Sequence, residues 1–364
     1  MKKILCLIDI LGYGGGAERQ MAGLSGMLKA KGYDVHLATY HKHEYNNVLR
    51  EKYNIESVFI DGGTNPISKL FAVRRFVIKG KFDVIIVFKD GATMLACLIK
   101  ILGVRSKLFV SERNTTIELT MKERIKFLLY RVADAIIPNS YSQSNFIKKN
   151  FPRLHKKVKV ITNFTDIKEF SPIEFLPKNE ILQILIIARI APQKNVKTFM
   201  KVARKIKEAN LPVKILWYGG IYKGQETYGE EIMDLYKRLD LEDVLEFRNA
   251  TKDIIEAYRK CDVFCLPSIH EGYPNVLCEA MSCGKPIICS NICDNPYIVE
   301  DGVNGWLFNP HDEQDIFNKI KTVIDKPLLI LNEIGVNNRK CAETNFSKEA
   351  FVQQYMELLE EYKV

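Results

Sequence analysis

Twelve short apolar runs, divided into two series by a Pro-containing stretch, set the strongest limit on what this chain can fold into. The first series is KILCLIDI (3–10), DVHLATY (34–40), DVIIVF (83–88), KLFVSE (107–112), AIIPNS (135–140) and KVIT (159–162). Helical stretches are expected between them over 17–31, 67–80, 92–102, 121–132 and 142–150. After FSPIEFLPKNE (170–180) a second series follows: QILIIARI (183–190), VKILWYG (213–219), VLEFRN (244–249), VFCLPS (263–268), PIICS (286–290) and GWLFN (305–309). Near-continuous apolar runs mark strands buried on both faces, and intervening helices supply the crossovers that parallel pairing needs. Alternation of this kind predicts doubly wound parallel sheets covered by helices. A chain of 364 residues is also longer than one hydrophobic core usually serves. Two similar α/β domains are therefore expected, 1–170 and 181–346, joined by a linker at 171–180 and followed by a last segment at 347–364. Ligands of such open sheets bind beyond the carboxyl ends of the strands, so two facing domains would form a cleft there.

Charge divides unevenly along the chain. Residues through Glu174 carry 29 Lys/Arg against 16 Asp/Glu, a balance of +13; the remainder carries 24 against 28, or −4, which returns the total of +9. The basic first half predicts an anionic surface or partner for that half. Its segments KERIKFLLYR (122–131) and KKNFPRLHKKVK (148–159) read singly as solvated helix faces, and together as a peripheral contact with anionic lipid. Nothing approaches the roughly 18–20 apolar residues of a membrane-spanning helix. The nine cysteines mostly sit in apolar runs with no secretory leader ahead of them, which predicts reduced thiols and a cytoplasmic chain. Cys261/Cys265 and Cys289/Cys293 lack metal-ligand spacing and read as buried apolar residues, so no metal is expected. The basic residues carry no interleaved aromatic motif, which argues against nucleic acid.

Three stretches carry chemistry. LGYGGGAER (11–19) follows the first strand, and its glycines allow a tight turn close to a ligand. It departs from G-x-G-x-x-G at Ala17 and lacks an acid after the second strand, so a nicotinamide site is a poor reading and a ligand-lining loop a better one. ARIAPQKN (188–195) sends Arg189 and Lys194 out from a strand end, where two cations can grip a diphosphate. SIHEGYPNVLCEAMSCGKP (268–286) places Glu271 before, and Glu279 within, a helix expected to begin at Pro274. A helix N-terminus suits an anionic ligand, so backbone N–H groups at Tyr273, Asn275 and Val276 are candidates to meet phosphate oxygens. Glu279 can then accept from two ribose hydroxyls, whereas the alternative reading has both acids only favouring the helix start.

Taken together, GGAE after the first strand, R-x4-K, E-x7-E around GYPN, A-x2-CGKPII, EDGVNG, the NS at 139–140 and Asn163 in VITNF resemble the retaining glycosyltransferases of family 4. SERN (111–114) is similar to members that build bacterial surface glycans, such as capsule and lipopolysaccharide, on lipid-linked acceptors. The resemblance implies a GT-B fold of two Rossmann-like domains, an N-terminal acceptor domain and a C-terminal nucleotide-sugar domain. It implies a helix near 347–362 crossing back to the N-terminal domain. It assigns Arg189 and Lys194 to the donor diphosphate, Glu271 to the donor sugar and Glu279 to ribose. It puts Gly15 and Gly16 beside the phosphates and acceptor, and Asn249, Gly272, Tyr273, Pro274, Asn275 and Val276 around the nucleotide. The chain departs from the family pattern at YGGIYKG (218–224), Arg248-Asn249 and DNPY (294–297), which surround the expected base and sugar pockets.

The implied reaction is retaining transfer of a hexose or N-acetylhexosamine from a UDP-linked donor, with no cofactor and no Asp-x-Asp to hold a metal. Retention without an obvious nucleophile implies front-face attack, in which the departing phosphate takes the acceptor's proton. Acceptor-side candidates are Glu18, Asp90, Glu112 and Arg113. Asp90 and Glu112, at strand ends, are candidate bases, with a local cap or ion-pair role as the alternative. Two competing readings are a GT-B nucleotide-sugar epimerase or hydrolase and an inactive glycan- or lipid-binding module of an assembly complex. The intact set Arg189, Lys194, Glu271 and Glu279 counts against the second.

Overall fold

The computed structural model describes residues 2–11, 15–42, 47–173, 181–251 and 253–363. The chain divides into two compact units, Met1–Phe164 with Lys348–Val364, and Thr165–Ser347. In the first, strands β1 (Lys3–Ile8), β2 (Asp34–Thr39), β3 (Ser57–Phe59), β4 (Val84–Phe88), β5 (Lys107–Glu112) and β6 (Ala135–Pro138) form a parallel sheet in the order β3-β2-β1-β4-β5-β6. In the second, β7 (Leu182–Ile187), β8 (Val213–Tyr218), β9 (Leu245–Arg248), β10 (Val263–Leu266), β11 (Ile287–Ser290) and β12 (Gly305–Phe308) lie parallel in the order β12-β11-β10-β7-β8-β9. Both sheets therefore reverse strand order beside their first strand, the point at which open α/β sheets receive ligands.

Burial explains the apolar runs. Along β1, Leu5 and Leu7 enter the core beneath one sheet face with Ile85 and Val87, while Ile4, Cys6 and Ile8 enter the opposite core with Ile86 and Phe88. A strand packed on both faces has no position for a polar side chain, so the sequence runs apolar without a break. The last helix, Lys348–Glu361, inserts Phe351, Val352, Tyr355, Leu358 and Leu359 into that second core.

Two departures from the sequence reading concern sheet edges. Residues 159–162 are not a strand. Lys159 and Ile161 donate to the carbonyls of Ile136 and Pro138 at 2.9 and 3.2 Å, but the run makes only an isolated bridge, Ile136 with Val158. The sheet instead gains β3, three residues long, with Val58 and Phe59 both exposed. An edge strand that short and that wet leaves no apolar run to notice. The stretch expected as a helix over 121–132 is an α-helix, Met121–Leu129, closed by a 3-10 turn, Tyr130–Val132. Of the expected linker, 171–173 is irregular backbone and 174–180 lies outside the described residues, as do Gly12 and Gly14 of the glycine loop.

Candidate functional site

In the second unit, β7 ends at Ile187 and the chain turns through Arg189 into the helix Val196–Glu208. Several bonds fix that turn. The indole of Trp217 donates to the Ala188 carbonyl at 2.8 Å, Ile190 N–H donates to Gly220 at 3.1 Å, and the Asn195 side chain donates to Pro310 at 2.7 Å. Arg189 is exposed, and its guanidinium sits over the Tyr222 ring, 5.6 Å from the centroid. Gly219 makes this close approach feasible: its φ is +153°, and a Cβ there would overlap the Ala188 carbonyl. Gly219→Ala is expected to push Ala188 and Arg189 outward, lowering both melting temperature and glycosyl transfer; a variant matching wild type in both would show the turn to be slack.

The turn leading to Glu271 is clasped to the same loop. Ile269 N–H donates to Gln193 at 2.9 Å, and the Gln193 side chain donates back to His270 at 2.8 Å. Across this clasp Lys194 Nζ lies 2.5 Å from Glu271 Oε1, which also accepts from Ser268 Oγ at 2.5 Å. Glu271 is buried to 9% exposure. Ser268, fully buried, and Gln193 lie in the same two stretches as the pair but were not singled out, because neither carries a charge. His270 Nδ1 stands 3.7 Å from Cys293 Sγ, and burial, with the Lys194 charge adding to it, holds the imidazole below its ordinary value against the pull of Glu271.

The helix expected to begin at Pro274 runs Asn275–Ser282 with Pro274 as its N-cap residue. Leu277 and Cys278 N–H both turn back to the Pro274 carbonyl, at 3.0 and 3.3 Å. Tyr273 is buried against the edge of Phe346, with Gly272 half-buried before it. Glu279, 7% exposed, accepts from the buried Tyr258 hydroxyl at 2.9 Å, which fixes one carboxylate oxygen. Asn249 is exposed just past β9, beside Arg248, which donates to Glu246 at 2.6 Å and to the Tyr218 hydroxyl at 2.7 Å. In DNPY, Asp294 and Asn295 are fully buried, and the Asn295 side chain donates to the Ser290 carbonyl at 2.8 Å.

In the first unit the acceptor-side candidates fall into three sets of charged groups. At the switch point, Lys89 Nζ lies 2.6 Å from Glu18 and 3.2 Å from Asp9. Burial works against the Lys89 ammonium, but the hydrogen bond to Glu18 and the charges of Asp9 and Glu18 outweigh it and raise its pKa. Lys89 carries φ +73° and ψ 142°, a conformation costly for any residue with a Cβ. Glu18 rises from the first turn of the helix Gly16–Ala30 and folds against Gly15, where a Cβ would overlap its carboxylate. Asp9 and Lys89 were missed from the sequence: neither belongs to a motif, and strand pairing alone joins them.

The second set is interior. Glu112 is fully buried; Lys126 Nζ lies 2.9 Å from one oxygen, Gln143 donates to that oxygen at 3.3 Å, and the Tyr130 hydroxyl bonds the other. Lys126 also meets Glu123 at 2.7 Å and Asp90 at 3.5 Å. Burial raises the Glu112 carboxyl while Lys126 pulls it back, and the net direction is upward. A carboxylate enclosed in this way holds Lys126, Tyr130 and Gln143 in place, which favours the ion-pair role over that of an acceptor-side base. Asp90, the first residue of the helix Asp90–Ile101, is partly exposed. The third set is Arg113, stacked 3.8 Å over the Phe88 ring and donating to Asn163 at 2.7 Å and to the Tyr355 hydroxyl at 2.9 Å. Burial lowers its pKa, and its bonds pin the last helix to the end of β5.

Comparison with known proteins places both units. Residues 14–169 match the model described as Glycosyltransferase Family 4, and residues 166–341 match Glycosyl transferases group 1. An uncharacterized glycosyltransferase of Haemophilus influenzae is 26% identical over 372 residues, covering 99% of this chain and 100% of that protein. A Campylobacter jejuni enzyme, N-acetylgalactosamine-N,N'-diacetylbacillosaminyl-diphospho-undecaprenol 4-alpha-N-acetylgalactosaminyltransferase, is 25% identical and covers 89% of this chain and 91% of its own. The crystal structure of Anabaena HepE in complex with UDP superposes with a TM-score of 0.85 at 22% identity, covering 99% of this chain and 100% of that one. With the two matched models spanning 14–341 and two parallel, doubly wound sheets as expected, the chain belongs to the GT-B glycosyltransferases of family 4.

Proposed function

We propose that this protein transfers a hexose or N-acetylhexosamine from a UDP-sugar to a lipid-linked glycan in bacterial surface-polysaccharide synthesis, with retention of configuration and without a metal. The observation that carries the reading is the Lys194–Glu271 pair, 2.5 Å apart and clasped to the turn that carries Arg189. Glycosyl transfer through an oxocarbenium-like transition state needs positive charge at the departing diphosphate and a polarising group at the sugar. Arg189 and Lys194 supply the first, aided by the N-terminus of Asn275–Ser282; Glu271, its carboxylate fixed by Lys194 and Ser268, addresses the sugar. The C1–O bond to phosphate breaks as the acceptor oxygen bonds C1 on the same face, and the acceptor's proton passes to the departing phosphate oxygen. Asn249 and residues 272–276 surround the nucleotide, and Gly15 and Gly16 border the phosphates. Glu18, held by Lys89, Asp90 and Arg113 remain the acceptor-side groups. The undecaprenol-diphosphate acceptor in the name of the Campylobacter relative and the UDP bound to HepE support the choice of substrates.

Incubation with a panel of UDP-sugars and an undecaprenyl-diphosphate-linked glycan, with chelator present, tests the proposal. UDP release coupled to a product with the donor's anomeric configuration is expected; an inverted product, or dependence on added metal, would overturn the mechanism. An epimerised donor, or donor bound with no product from any acceptor, would favour the two competing readings. Glu279, oriented by Tyr258, accepts from the ribose hydroxyls, and a charged acceptor's hydrogen bond is worth roughly 1.5–3 kcal/mol. Glu279→Gln is therefore expected to weaken UDP affinity by about tenfold or more in calorimetry. Unchanged affinity would remove the ribose assignment.

A further inference from the structure

The geometry points to the helix Pro66–Gly80, with the adjoining end of Asp90–Ile101, as a docking surface for an anionic lipid bilayer. Helix Pro66–Gly80 buries only Val73 and Val77, leaving Ile67, Phe71 and Ile78 at 65%, 50% and 49% exposure. The spacing 67, 71, 78 aligns them along one stripe of the helix. On the neighbouring helix end, Leu98, Ile101 and Leu102 are 39%, 56% and 41% exposed. Arg74 Nε donates to the Leu102 carbonyl at 3.1 Å, which brings the two stripes side by side. Exposed apolar side chains are ordinary when scattered, whereas grouped ones mark a contact surface.

Charge selects the occupant. No acidic residue occurs between Asp61 and Asp83, a span that carries Lys69, Arg74, Arg75, Lys79 and Lys81. Arg75 and Lys79 are exposed on the helix itself. A helix that is apolar along one stripe, basic beside it and free of acids fits the boundary between acyl chains and anionic headgroups. No helix among the described residues is long and apolar enough to cross a membrane, so the contact lies on the surface. This surface is distinct from the basic segments 122–131 and 148–159, and in the second of these Arg153 and Lys156 stand exposed without an apolar stripe.

The test is co-sedimentation of the full chain with vesicles of phosphatidylcholine alone or mixed with phosphatidylglycerol, in the absence of donor and acceptor. Its outcome is thus independent of the sugar-transfer reading. The wild type is expected to bind the mixed vesicles, weakly bind phosphatidylcholine, and detach as salt rises. Each basic residue near an anionic surface contributes about a fivefold gain in partitioning, so Arg75→Gln with Lys79→Gln is expected to lose about twenty-five-fold. Phe71→Ser with Ile78→Ser is expected to lose about tenfold or more. Arg153→Gln with Lys156→Gln should bind like wild type. All six positions are exposed; thermal melts verify folding, and the single variants Phe71→Ser and Arg75→Gln decide the matter if a double variant melts early. Wild type that ignores the mixed vesicles, face variants that bind undiminished, or an equal loss in the 153/156 variant would overturn the proposal. Self-association that Phe71→Ser with Ile78→Ser abolishes, in a wild type indifferent to lipid, would reassign the face to a second copy.

Discussion

Replacing Lys194 with alanine is expected to cut turnover by about two to three orders of magnitude, the loss typical of removing one preorganised group that meets developing negative charge. Two effects add here. The variant lacks an ammonium at the departing diphosphate, and it strips Glu271 of the 2.5 Å partner that, with Ser268, fixes that carboxylate oxygen. A Glu271 carboxylate no longer fixed by that bond polarises the sugar less well. Arg189 is exposed and stacked on Tyr222, with no carboxylate pair among the described residues, so Arg189→Ala should remove charge stabilisation alone. Steady-state kinetics of both variants separate the two contributions. Wild-type turnover in both would eliminate the diphosphate assignment, and with it the mechanism proposed above.

The largest stability effect is expected at Lys126. Its side chain is 2% exposed, and the facing Glu112 is fully buried. Removing one partner of a buried pair leaves an uncompensated charge and costs about 3–5 kcal/mol. Lys126→Met should therefore lower the melting transition of the first unit by roughly 6–20 °C. The pH dependence has a definite sign. Burial already raises the Glu112 carboxyl above 4.5 against the pull of Lys126, and without the ammonium it rises further. A folded-state value above the unfolded one means full stability at pH below 4.5 and loss as pH climbs toward the raised value. The variant should thus be least disadvantaged in acid, the reverse of ordinary acid denaturation. Adding Glu112→Gln should restore most of the stability, since a neutral pair carries no unpaired charge. A double-mutant cycle by calorimetry checks this, and additive losses would show that the two groups act independently.

How far the site could be read from sequence depended on whether its parts share a loop. Arg189 and Lys194 lie on one turn, and Glu271 and Glu279 flank one helix start, so spacing alone relates the members of each pair. Their partners are remote: Tyr258 reaches Glu279 from 21 residues away, Lys89 reaches Glu18 from 71, and Tyr355 reaches Arg113 from 242. Only strand order and helix packing make those contacts, and neither leaves a local signal. Glu112 was left between two roles, base and ion partner, for a related reason. A strand-end acid looks accessible until the helix carrying Lys126 and the turn carrying Tyr130 close over it. The sheets were legible wherever both faces are covered, as in β1 and β4, and illegible at their edges, where β3 is short and exposed and 159–162 pairs in one direction only.

The helix Lys348–Glu361 gives the chain an unusual order of assembly. Its Phe351, Tyr355 and Leu359 complete a core whose other walls come from β1, β4 and the helix Gly16–Ala30. During synthesis those walls leave the ribosome first, but their packing waits until all of Thr165–Ser347 has followed. At elongation rates of about 5–20 residues per second, that delay is roughly ten to forty seconds. Through that interval Ile4, Ile8, Phe88 and Phe164 lack the helix that covers them in the finished protein, and the nascent first unit offers that surface to a chaperone. The second unit, built from the continuous stretch Thr165–Ser347, can close as soon as it emerges, so the half translated first is the half finished last.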